Sequence, residues 1–569
     1  MIFGWVNRTR DHGGLLFIDV RDRYGLIQTV FDPNIDEPLC QRARELKPEF
    51  CVMVRGKVRP RPEGMRNPAM PTGEVEILAD DLTILSASPT PPFVIVDDVK
   101  ATEELRLKHR YLDLRRPSMQ RNVIIRHGLM QLIRKHLNRL GFLEIETPIL
   151  TRSTPEGARD YLVPSRIHPG KFYCLAQSPQ LYKQLLMVSG FDRYYQFARC
   201  LRDEDLRADR QPEHTQIDIE MSFVEEDDIF EVVEGMLKLA FKEVLGKRLR
   251  IPFPRIPYEE SIERFGTDKP DLRYRLPLID LTEEAANSGF RIFDETLRRN
   301  GAIKAINAKS CHHLSRRELD HLEEIVRARG AAGLLWAKFE PTFHGPMAKF
   351  LSPSVVREFK KKCGVSRKDL LLMVAGDRAT VNSSLGALRT QLGKELGLAG
   401  RKEFAFTWIV DFPVFERNEE TGQIQPSHHI FSMPKEEDLK YLDSEPLKVR
   451  GRIFDLVCNG IELASGSIRN HKLELQQRLF KKLGLNREEA TRRYGFLLEA
   501  LKYGAPPHGG IAPGVDRICM LMAGRNNIRD MIPFPKTLQA LSLLEGAPSE
   551  VDDEQLKELH IRIVEQESD

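Results

Sequence analysis

The sequence GGIAPGVDRICMLMAG, residues 509–524, joins a glycine-rich run directly to an apolar one. This pattern predicts a strand that runs straight into a helix, with Arg517 near the helix start. Such a join points backbone N–H groups and a guanidinium at one place, which favours an anion such as phosphate. A single glycine-rich turn is weak evidence, so its meaning depends on the segments upstream.

Two upstream segments complete a recognisable order. Residues 126–140 predict an amphipathic helix, followed by a short strand over 142–147. Residues 194–221 predict two strands around a charged loop, and in the second strand Asp218 and Glu220 share one face with a third polar residue, Gln216. A surface strand commonly has the same alternation. The three segments in this order are more specific than any one of them.

Asn459-Gly460 is a strong signal for a two-residue hairpin turn. A turn at this place pairs Val457 with Glu462 and places Asp455 diagonally from Glu462 on the same face. Two carboxylates within reach of one site can bind Mg²⁺, although isolated acids are more often solvated.

The first 86 residues read as short strands with one helical stretch over 35–47, which predicts a five-stranded barrel. The alternation of residues 15–20 presents Phe17 outward. A turn with an even number of residues before Leu26 would place Gln28 on the same face. An aromatic ring beside an amide can stack on a base and read its edge, but a ring packed under a loop is an equally good interpretation.

The fourth strand of this barrel carries cations at every second position, with valines between them that are predicted to face the core. Such a face is most often merely solvated, but beside an outward aromatic ring it predicts a track for a single-stranded backbone. The barrel contains about as many acids as bases, which weakens this interpretation. The cations are Arg55, Lys57, Arg59 and Arg61, and the valines are Val52, Val54 and Val58.

The composition excludes several classes of protein. The 569 residues include 86 Lys and Arg against 83 Asp and Glu, a net charge of +3, which excludes a strongly basic nucleic-acid coat. No apolar run is long enough for a membrane helix and the first residues lack the apolar stretch of a signal peptide, so a cytoplasmic protein is expected. The eight cysteines lack metal-binding spacing and are expected to be buried free thiols.

The predicted secondary structure changes in character several times along the chain. This agrees with the roughly 3 to 4 domains that are expected from the chain length. A proline-rich spacer follows the barrel, and a helical region splits the larger domain as an insertion. The predicted segments are a barrel over 1–86, a linker over 87–105, a larger domain over 106–270 and 404–540, an insertion over 271–403 and a C-terminal extension over 541–569.

The local strings resemble those of a known family. The segments above look like motifs 1, 2 and 3 of class II aminoacyl-tRNA synthetases. The bacterial-type aspartyl-tRNA synthetases have strings similar to TPEGARDYLVPSR, QSPQLYKQLLM, LRDED, RADRQPEHTQIDIE, GSIR and PPHGGIAPGVDR. The resemblance covers essentially the whole chain. It implies a multidomain α/β (α+β) protein with an N-terminal OB-fold barrel that binds the anticodon, an antiparallel-sheet catalytic domain and an inserted GAD-type α+β domain.

The resemblance also implies an activity. ATP and L-aspartate would form aspartyl-adenylate, and the aspartyl group would pass to the 3′ end of tRNA(Asp), with tRNA(Asn) left open and His12 placed where that choice could be made. The family further implies Mg²⁺, a homodimer and a cytoplasmic location. Because the attacking carboxylate is already ionised, catalysis needs positioning and charge neutralisation rather than a protein base.

The resemblance assigns roles to individual residues. Arg202 and Arg517 are the expected catalytic residues, and Asp455 and Glu462 the expected metal ligands. Aspartate is expected to contact Glu156, Ser178, Gln180, Lys183, Arg202, Asp218, His428 and Arg469. ATP is expected to contact Arg202, Glu204, Gln211, Glu462, Gly514, Val515, Asp516 and Arg517. The anticodon is expected to contact Phe17, Gln28, Arg55, Lys57 and Arg59.

Three departures from the family pattern affect these expectations. Ala464 and Ser465 replace glycines where backbone approaches substrate, which changes the shape of the pocket. Ile430 replaces a proline in the HHPFT string, which predicts a looser loop over the substrate. The inserted domain reads Ala-Gly-Asp over 375–377 where Gly-Ala-Asp is usual.

Two other functions remain open at this point. A non-catalytic paralogue that binds tRNA or nucleotide would be expected to lose a phosphate-binding arginine or a metal carboxylate, yet Arg202, Arg517, Asp455 and Glu462 are present. A lysine- or asparagine-specific synthetase is the alternative within the family, and Arg469 and Lys183 oppose it.

Overall fold

The structure is a computed structural model that describes residues 1–154, 157–286, 288–340, 342–400, 403–418 and 421–564. The strands are β1 Ile2–His12, β2 Leu15–Arg21, β3 Leu26–Phe31, β4 Cys51–Pro60, β5 Val75–Ser86, β6 Leu143–Glu144, β7 Leu150–Thr151, β8 Leu162–Pro164, β9 Phe172–Leu175, β10 Arg193–Leu201, β11 Glu213–Ser222, β12 Arg255–Pro257, β13 Ile279–Asp280, β14 Ala302–Ala308, β15 Leu335–Phe339, β16 Phe343–His344, β17 Leu370–Gly376, β18 Phe406–Val410, β19 Phe415–Arg417, β20 Ile424–Pro426, β21 Ile453–Cys458, β22 Ile461–Ile468 and β23 His508–Pro513.

Helices alternate with these strands along the chain. The α-helices are α1 Glu37–Arg44, α2 Glu103–Lys108, α3 Arg110–Asp113, α4 Pro117–Arg139, α5 Gln180–Val188, α6 Glu226–Leu245, α7 Tyr258–Phe265, α8 Thr282–Ala285, α9 Arg291–Arg298, α10 Arg316–Arg327, α11 Pro353–Lys362, α12 Arg378–Glu395, α13 Leu473–Lys482, α14 Arg487–Ala500, α15 Val515–Ala523 and α16 Asp553–Glu558. Short 3₁₀ helices span Ala348–Phe350, Glu436–Tyr441, Pro446–Lys448, Leu501–Tyr503 and Ile528–Asp530.

The chain divides into two compact units. One contains residues 1–124 and 529–550, and the other contains residues 125–528 and 551–569. In the first unit, the buried guanidinium of Arg110 donates hydrogen bonds to the backbone oxygens of Arg529, Ile532 and Pro533, at 2.8, 3.0 and 2.8 Å. These bonds hold the two stretches of chain together within that unit.

The first unit contains the predicted five-stranded barrel, which is closed in the order β1-β2-β3-β5-β4. Asp36 caps α1 because its carboxylate accepts the N–H of Leu39 at 2.9 Å. The core is formed by buried side chains such as Leu16 and Ile18, as the alternation of β2 predicts. The five-stranded barrel and its helix are thus confirmed.

The lower part of β4 departs from the predicted alternation. Val52 and Val54 are buried, but Val58 is 68% exposed, so the prediction that it faces the core is wrong. Strand β1 pairs with β4 only as far as Val54, and β4 continues beyond it beside β5. Arg61 is buried, and its Nε donates to the backbone oxygen of Val75 at 3.2 Å, so it does not project with the other cations as predicted.

The second unit is built on an eight-stranded sheet in the order β12-β18-β21-β22-β23-β11-β10-β6. The six central strands, from β18 to β10, are antiparallel, while β12 and β6 pair in parallel at the two edges. The charged hairpin is confirmed as β10 and β11, and the glycine-rich run as β23 followed by α15. The strand predicted over 142–147 is only the two-residue β6, because it meets β10 at Tyr194 and Tyr195 alone.

A second sheet lies between β12 and β18 in the chain, in the order β13-β14-β17-β15-β16. Buried apolar clusters cover both of its faces, one with α10 and α12 and the other with α9 and α11. This sheet and its helices form the insertion, and the exact boundaries given above remain predictions. Two smaller sheets complete the unit, β7-β9-β8 and β19-β20.

Two general expectations can also be compared with the structure. All eight cysteines are free, and seven of them are buried while Cys51 is partly exposed. Among the described residues, no helix has both the length and the apolar character needed to span a membrane.

Candidate active site

One cavity of about 720 Å³ opens above the central strands of the eight-stranded sheet. Its wall brings together Arg202, Arg469 and Arg517, which lie as far apart as 315 positions in the sequence, from 202 to 517. The convergence of these three guanidiniums is the geometry that the sequence interpretation required. The predicted residues that line the cavity are Ser178, Gln180, Arg202, Glu204, Gln211, Asp218, His428, Glu462, Arg469, Gly514, Asp516 and Arg517.

At the closed end of the cavity lies a buried cluster of two cations and two acids, of which Asp218 and Arg469 line the cavity while Lys183 and Glu220 do not. Lys183 Nζ lies 3.0 Å from Asp218 Oδ1 and 3.3 Å from Glu220 Oε2. Arg469 donates from Nε and Nη2 to the two oxygens of Glu220, at 2.9 and 3.1 Å, and from Nη1 to Ser467 Oγ at 2.7 Å. The four charged side chains are at most 4% exposed. The predicted orientation of Lys183 by Asp218 is therefore present in the structure.

Glu220 is the member of this cluster that sequence reasoning did not assign to the site. Burial raises its pKa, but the charges of Arg469 and Lys183 more than offset this and hold the pKa at about 2. Gly510 on the neighbouring strand leaves room for it, because a β-carbon there would collide with the Glu220 carboxylate. The sequence alternation showed that Glu220 shares a strand face with Asp218. Arg469, the partner of Glu220, is so far away along the sequence that the ion pair between them could not be predicted.

Two histidines from the loop after β20 face the same cavity, and their pKa values are shifted in opposite directions. His428 Nε2 lies 3.4 Å from Asp455 Oδ2, and although burial lowers its pKa, Asp455 and Glu462 raise it above the ordinary value. His429 is different, because burial and then Arg469 and Lys183 lower its pKa to about 3. The N–H of Phe431 donates to His429 Nδ1 at 3.3 Å, which assigns the proton of the neutral ring to Nε2.

The open end of the cavity carries more exposed charges. Arg517 donates from Nη1 to the backbone oxygen of Glu462 at 2.9 Å and from Nη2 to Asp209 at 3.2 Å. Arg202 donates from Nε to the backbone oxygen of Gln177 at 3.3 Å. Burial, followed by the charges of Arg202 and Arg517, lowers the pKa of His214 to about 3. Arg202 and Arg517 are therefore the groups at this end of the cavity that suit an anion.

Residues at the start of α15 differ in whether they line the cavity and in what their side chains contact. Gly514 lines it directly, whereas Val515 is fully buried and does not line it. The carboxylate of Asp516 is occupied by Arg126 and by the N–H of Thr215, so it ties α15 to β11. Both side-chain oxygens of Asp516 are thus engaged within the protein, so the structure does not support the predicted contact between this side chain and ATP.

Other predicted contacts at the open end are arranged as follows. Gln211 is buried, and its Nε2 donates to the backbone oxygen of Arg210 at 3.4 Å. Glu204 lies 3.2 Å from Arg210 Nη1. Glu156 lies outside the described residues.

The carboxylate pair predicted for a metal lies on the hairpin formed by β21 and β22. Val457 pairs with Glu462 across the two-residue turn, as predicted, and the register then shifts by one residue at Leu463. Asp455 Oδ1 is buried and has no hydrogen-bond partner among the described residues. Glu462 Oε2 forms an ion pair with Lys269 Nζ at 2.8 Å.

This donor set fits Mg²⁺, since an orphaned carboxylate oxygen beside a second carboxylate suits a hard cation that takes its other ligands from water and phosphate. Burial raises the pKa of Asp455, whereas Lys269 overcomes the effect of burial on Glu462 and lowers its pKa. Among the described residues, no group of three or more His, Cys, Asp or Glu side chains is placed to hold a metal by itself. The remaining ligands of a bound cation would come from the nucleotide and solvent.

Residues 102–538 match a family described as tRNA synthetases class II (D, K and N), and residues 1–85 match an OB-fold nucleic acid binding domain. The chain belongs to the class II tRNA synthetases of the D, K and N group. An aspartate–tRNA(Asp/Asn) ligase of Thermoanaerobacter pseudethanolicus is 52% identical over 564 residues, covering 99% of this chain and 95% of its own. One of Caldanaerobacter subterraneus is 53% identical over 565 residues, with the same shares.

Solved structures share the synthetase fold. The asparaginyl-tRNA synthetase of Pyrococcus horikoshii, complexed with asparaginyl-adenylate, superposes with a TM-score of 0.58 at 18% identity over 94% of each chain. That of Entamoeba histolytica gives a TM-score of 0.59 at 16% identity over 95% of each chain. At these identities the likeness shows the fold alone. The family, the fold class and the assignment as an enzyme that the sequence predicted are confirmed.

The barrel of this synthetase presents a connected polar surface beside Phe17. Phe17 is partly exposed, and its ring meets that of His12 edge to face at 5.7 Å. Gln28 pairs with Asp19 across a four-residue turn and so lies on the face of Phe17, as predicted. Gln28 is nevertheless buried, because Arg10 donates to its Oε1 at 3.1 Å while its Nε2 donates to Glu76 at 2.9 Å.

The predicted cations of the barrel differ in their contacts with this surface. Arg59 Nε donates to Glu76 at 2.9 Å and extends the hydrogen-bonded chain. Arg55 is exposed and pairs with Asp80 at 2.8 Å, and Lys57 is exposed. Glu76 was missed by sequence reasoning, since its place beside Arg59 and Gln28 depends on a barrel pairing that the sequence does not give.

The departures from the family pattern are accommodated by the synthetase fold. Ala464 and Ser465 lie inside β22 and keep their pairing with β21 and β23. The backbone oxygen of Ile430 accepts Gln476 Nε2 at 3.0 Å, and the prediction of a looser loop remains untested. Asp377 caps α12 by accepting the N–H of Thr380 at 3.0 Å.

Proposed function

We propose that this synthetase activates L-aspartate with ATP and transfers the aspartyl group to the 3′ end of tRNA(Asp), and of tRNA(Asn) as well. The observation that carries the proposal is the cavity itself: Arg469, which shares Glu220 with the buried Lys183, lines its closed end, and Arg202 and Arg517 line its open end. A small dicarboxylic acid and a nucleotide fit these two ends. The relatives named above support the acceptor tRNAs.

The hydrogen bonds of the closed end explain why it suits a carboxylate. The ammonium of Lys183 has three N–H groups, and three acceptors surround it: Asp218, Glu220 and the backbone oxygen of Ile219. The guanidinium of Arg469 has five N–H groups, of which three donate to Glu220 and Ser467. Two donors of Arg469 are left for a ligand, and they match the two oxygens of the aspartate side chain.

Asparagine should bind poorly to the same site. Its amide would direct N–H groups at the remaining donors of Arg469, so at least one polar group on each side would be buried without an acceptor. The preference follows from an unmade hydrogen bond and an unbalanced charge, rather than from size. His428 and Gln180 line the neighbouring wall and are proposed to contact the amino acid.

The chemistry requires little of the protein beyond placement and positive charge. The α-carboxylate of aspartate attacks the α-phosphorus of ATP, and pyrophosphate leaves. The terminal adenosine hydroxyl of the tRNA then attacks the carbonyl of the mixed anhydride, and AMP leaves. Arg202 is proposed to hold the α-phosphate against the carboxylate, and Arg517 to hold the far phosphates. Asp455 and Glu462 would hold Mg²⁺, which would add to the neutralisation of phosphate charge.

An aspartate-dependent exchange of labelled pyrophosphate into ATP tests this proposal directly. The wild-type chain should catalyse exchange with aspartate and at most a small fraction of that rate with asparagine or lysine. Charging of purified tRNA(Asp) and tRNA(Asn) transcripts tests the second step. An absence of exchange with every amino acid would instead favour the catalytically silent, tRNA-binding paralogue.

Several finer features belong to the same proposal. The anticodon is proposed to contact Phe17 and Gln28 together with the cations Arg55, Lys57 and Arg59, and the remaining predicted contacts are retained for aspartate and ATP. The enzyme is proposed to be a cytoplasmic homodimer with the domain boundaries predicted from the sequence. Sedimentation velocity would test the dimer, and a double substitution, Phe17→Ala with Gln28→Ala, should raise the KM for tRNA without changing pyrophosphate exchange.

A further inference from the structure

The inserted domain is joined to the catalytic sheet by a short segment that reaches the proposed metal pair. This segment, residues 266–276, follows α7 and precedes β13, and we refer to it as the junction segment. Lys269 stands within it and extends its Nζ to 2.8 Å from Glu462 Oε2. A cation supplied from the border of the insertion therefore already lies against one of the two carboxylates.

The inserted domain holds α7 through a cluster of polar contacts at Glu263. Lys304 Nζ from β14 donates to Glu263 Oε2 at 2.6 Å, and Arg378 Nη1 from α12 donates to the same oxygen at 2.6 Å. Asn382 Nδ2, also from α12, donates to Glu263 Oε1 at 3.1 Å. Lys304 is fully buried, so this contact is a fixed part of the packing between the insertion and the helix before the junction segment.

The junction segment itself is clamped onto α12. Gly266 and Gly386 approach so closely that a β-carbon on Gly266 would collide with the backbone of α12, and one on Gly386 with the backbone of Gly266. Arg389, also on α12 and fully buried, donates hydrogen bonds to the backbone oxygens of Asp271, Tyr274 and Leu276, at 2.7, 3.0 and 2.9 Å. Three carbonyls satisfied by one guanidinium fix the path of the segment after Pro270.

The far side of the junction segment touches the hairpin that carries the metal pair. A β-carbon built at Gly460, in the turn between β21 and β22, would lie 3.5 Å from Asp271 Cβ and 3.8 Å from the backbone oxygen of Lys269. The segment is thus packed between α12 of the insertion and the β21–β22 hairpin. The direction of the Lys269 side chain follows from a backbone held on both sides.

From these contacts we propose that Lys269 neutralises Glu462 while the nucleotide site is empty, and that the inserted domain keeps it there. The ammonium occupies the charge position that a divalent cation would otherwise fill, so the free enzyme should bind the metal weakly by itself. A cation that arrives with nucleotide phosphates brings its own ligands and additional charge. This inference rests on the proposed function, because it assigns Glu462 to the metal.

The test measures binding of Mn²⁺, as a substitute for Mg²⁺, to the full-length enzyme without nucleotide, from the electron paramagnetic resonance signal of the free ion. Lys269→Met removes the charge but retains most of the side-chain volume, and it should bind Mn²⁺ at least fivefold more tightly than wild type. Lys269→Arg keeps the charge and should stay within twofold of wild type. Lys448→Met, at an exposed ion pair with Glu445, is the matched control and should not change the affinity. Equal Mn²⁺ affinity for wild type and Lys269→Met would overturn the proposal.

A second variant tests the part played by the inserted domain. Glu263→Gln weakens the contacts from Lys304 and Arg378 without touching Lys269, and it should strengthen Mn²⁺ binding at least twofold. If Lys269→Met shifts the affinity and Glu263→Gln does not, the role of the insertion is overturned. Circular dichroism should show the wild-type spectrum for both variants. Aspartate-dependent pyrophosphate exchange by the wild type is measured separately, so failure of this inference and failure of the proposed function are distinguishable.

Discussion

The two ends of the cavity hold their charges in contrasting ways. At the closed end, Lys183, Glu220 and Arg469 are at most 4% exposed and lie in ion pairs of 2.9 to 3.3 Å. At the open end, the side chains of Arg517 and Asp209 are 24% and 44% exposed, and their ion pair measures 3.2 Å. The closed end is therefore desolvated and preorganised, whereas the open end is solvated.

This difference corresponds to different tasks. A buried charge cluster is costly to break, and its donors are fixed before the ligand arrives, which suits discrimination between similar small molecules. Exposed pairs are weak, so phosphate oxygens can replace one partner at little cost. The contrast predicts that equal chemical changes at the two ends have unequal effects.

Arg469→Lys should have the largest effect. A lysine cannot contact both oxygens of Glu220 and still present two donors to the substrate. Loss of a buried, bidentate pair is worth about 4 kcal/mol, so kcat/KM for aspartate in pyrophosphate exchange should fall by about 10³-fold. The melting temperature of the variant should be recorded beside the kinetics. A fall of less than tenfold in a folded variant would mean that the closed end does not depend on Arg469.

Arg517→Lys makes the same change at the open end and should have a smaller, different effect. The ammonium retains the charge but loses the fork that spans Asp209 and the backbone oxygen of Glu462. We expect the KM for ATP to rise by about fivefold, because one solvated contact is worth up to about 1 kcal/mol. The KM for aspartate should stay within twofold. A comparable rise in both KM values would show that the two ends are not independent.

His429 offers a pH test of the buried end. Its pKa is about 3 in the folded enzyme against an ordinary value of 6.5, so below pH 6.5 the unfolded chain binds a proton that the folded chain does not. Stability must therefore fall as the pH falls below 6.5, by about 1 to 2 kcal/mol at pH 5. In His429→Gln this contribution is absent.

The measurement compares melting temperatures at pH 7 and pH 5 in wild type and His429→Gln. The drop between the two pH values should be smaller in the variant by about 2 °C. His321→Gln is a suitable control, because that histidine is exposed on the inserted domain. An identical drop in wild type and His429→Gln would contradict a neutral, partly buried imidazole.

The sequence was sufficient for the parts of the enzyme that depend on local pattern. The hairpin at Asn459-Gly460, the strand that leads into Arg517 and the barrel follow from turn chemistry and periodicity, and the resemblance supplied the site residues. Glu220 and Lys269 could not be assigned in this way, because their roles depend on partners 249 and 193 positions away, at Arg469 and Glu462. Alternation predicted the wrong environment for Val58, because β1 does not extend far enough to cover it.

Ser465→Gly restores a residue typical of the family and should have the smallest effect. Ser465 is paired on both sides, with Asp455 on β21 and Ala512 on β23, so the backbone is already held in the conformation that a glycine would adopt. The loss of a side chain inside a strand costs about 0.5 to 1 kcal/mol through the unfolded state. We therefore expect a slightly lower melting temperature and KM values for aspartate and ATP within twofold of wild type. A fivefold change in either KM would show that the Ser465 side chain shapes the site. In that case the preorganised part of the cavity would extend from the closed end as far as Ser465, which is further towards the proposed nucleotide site than the buried charges alone indicate.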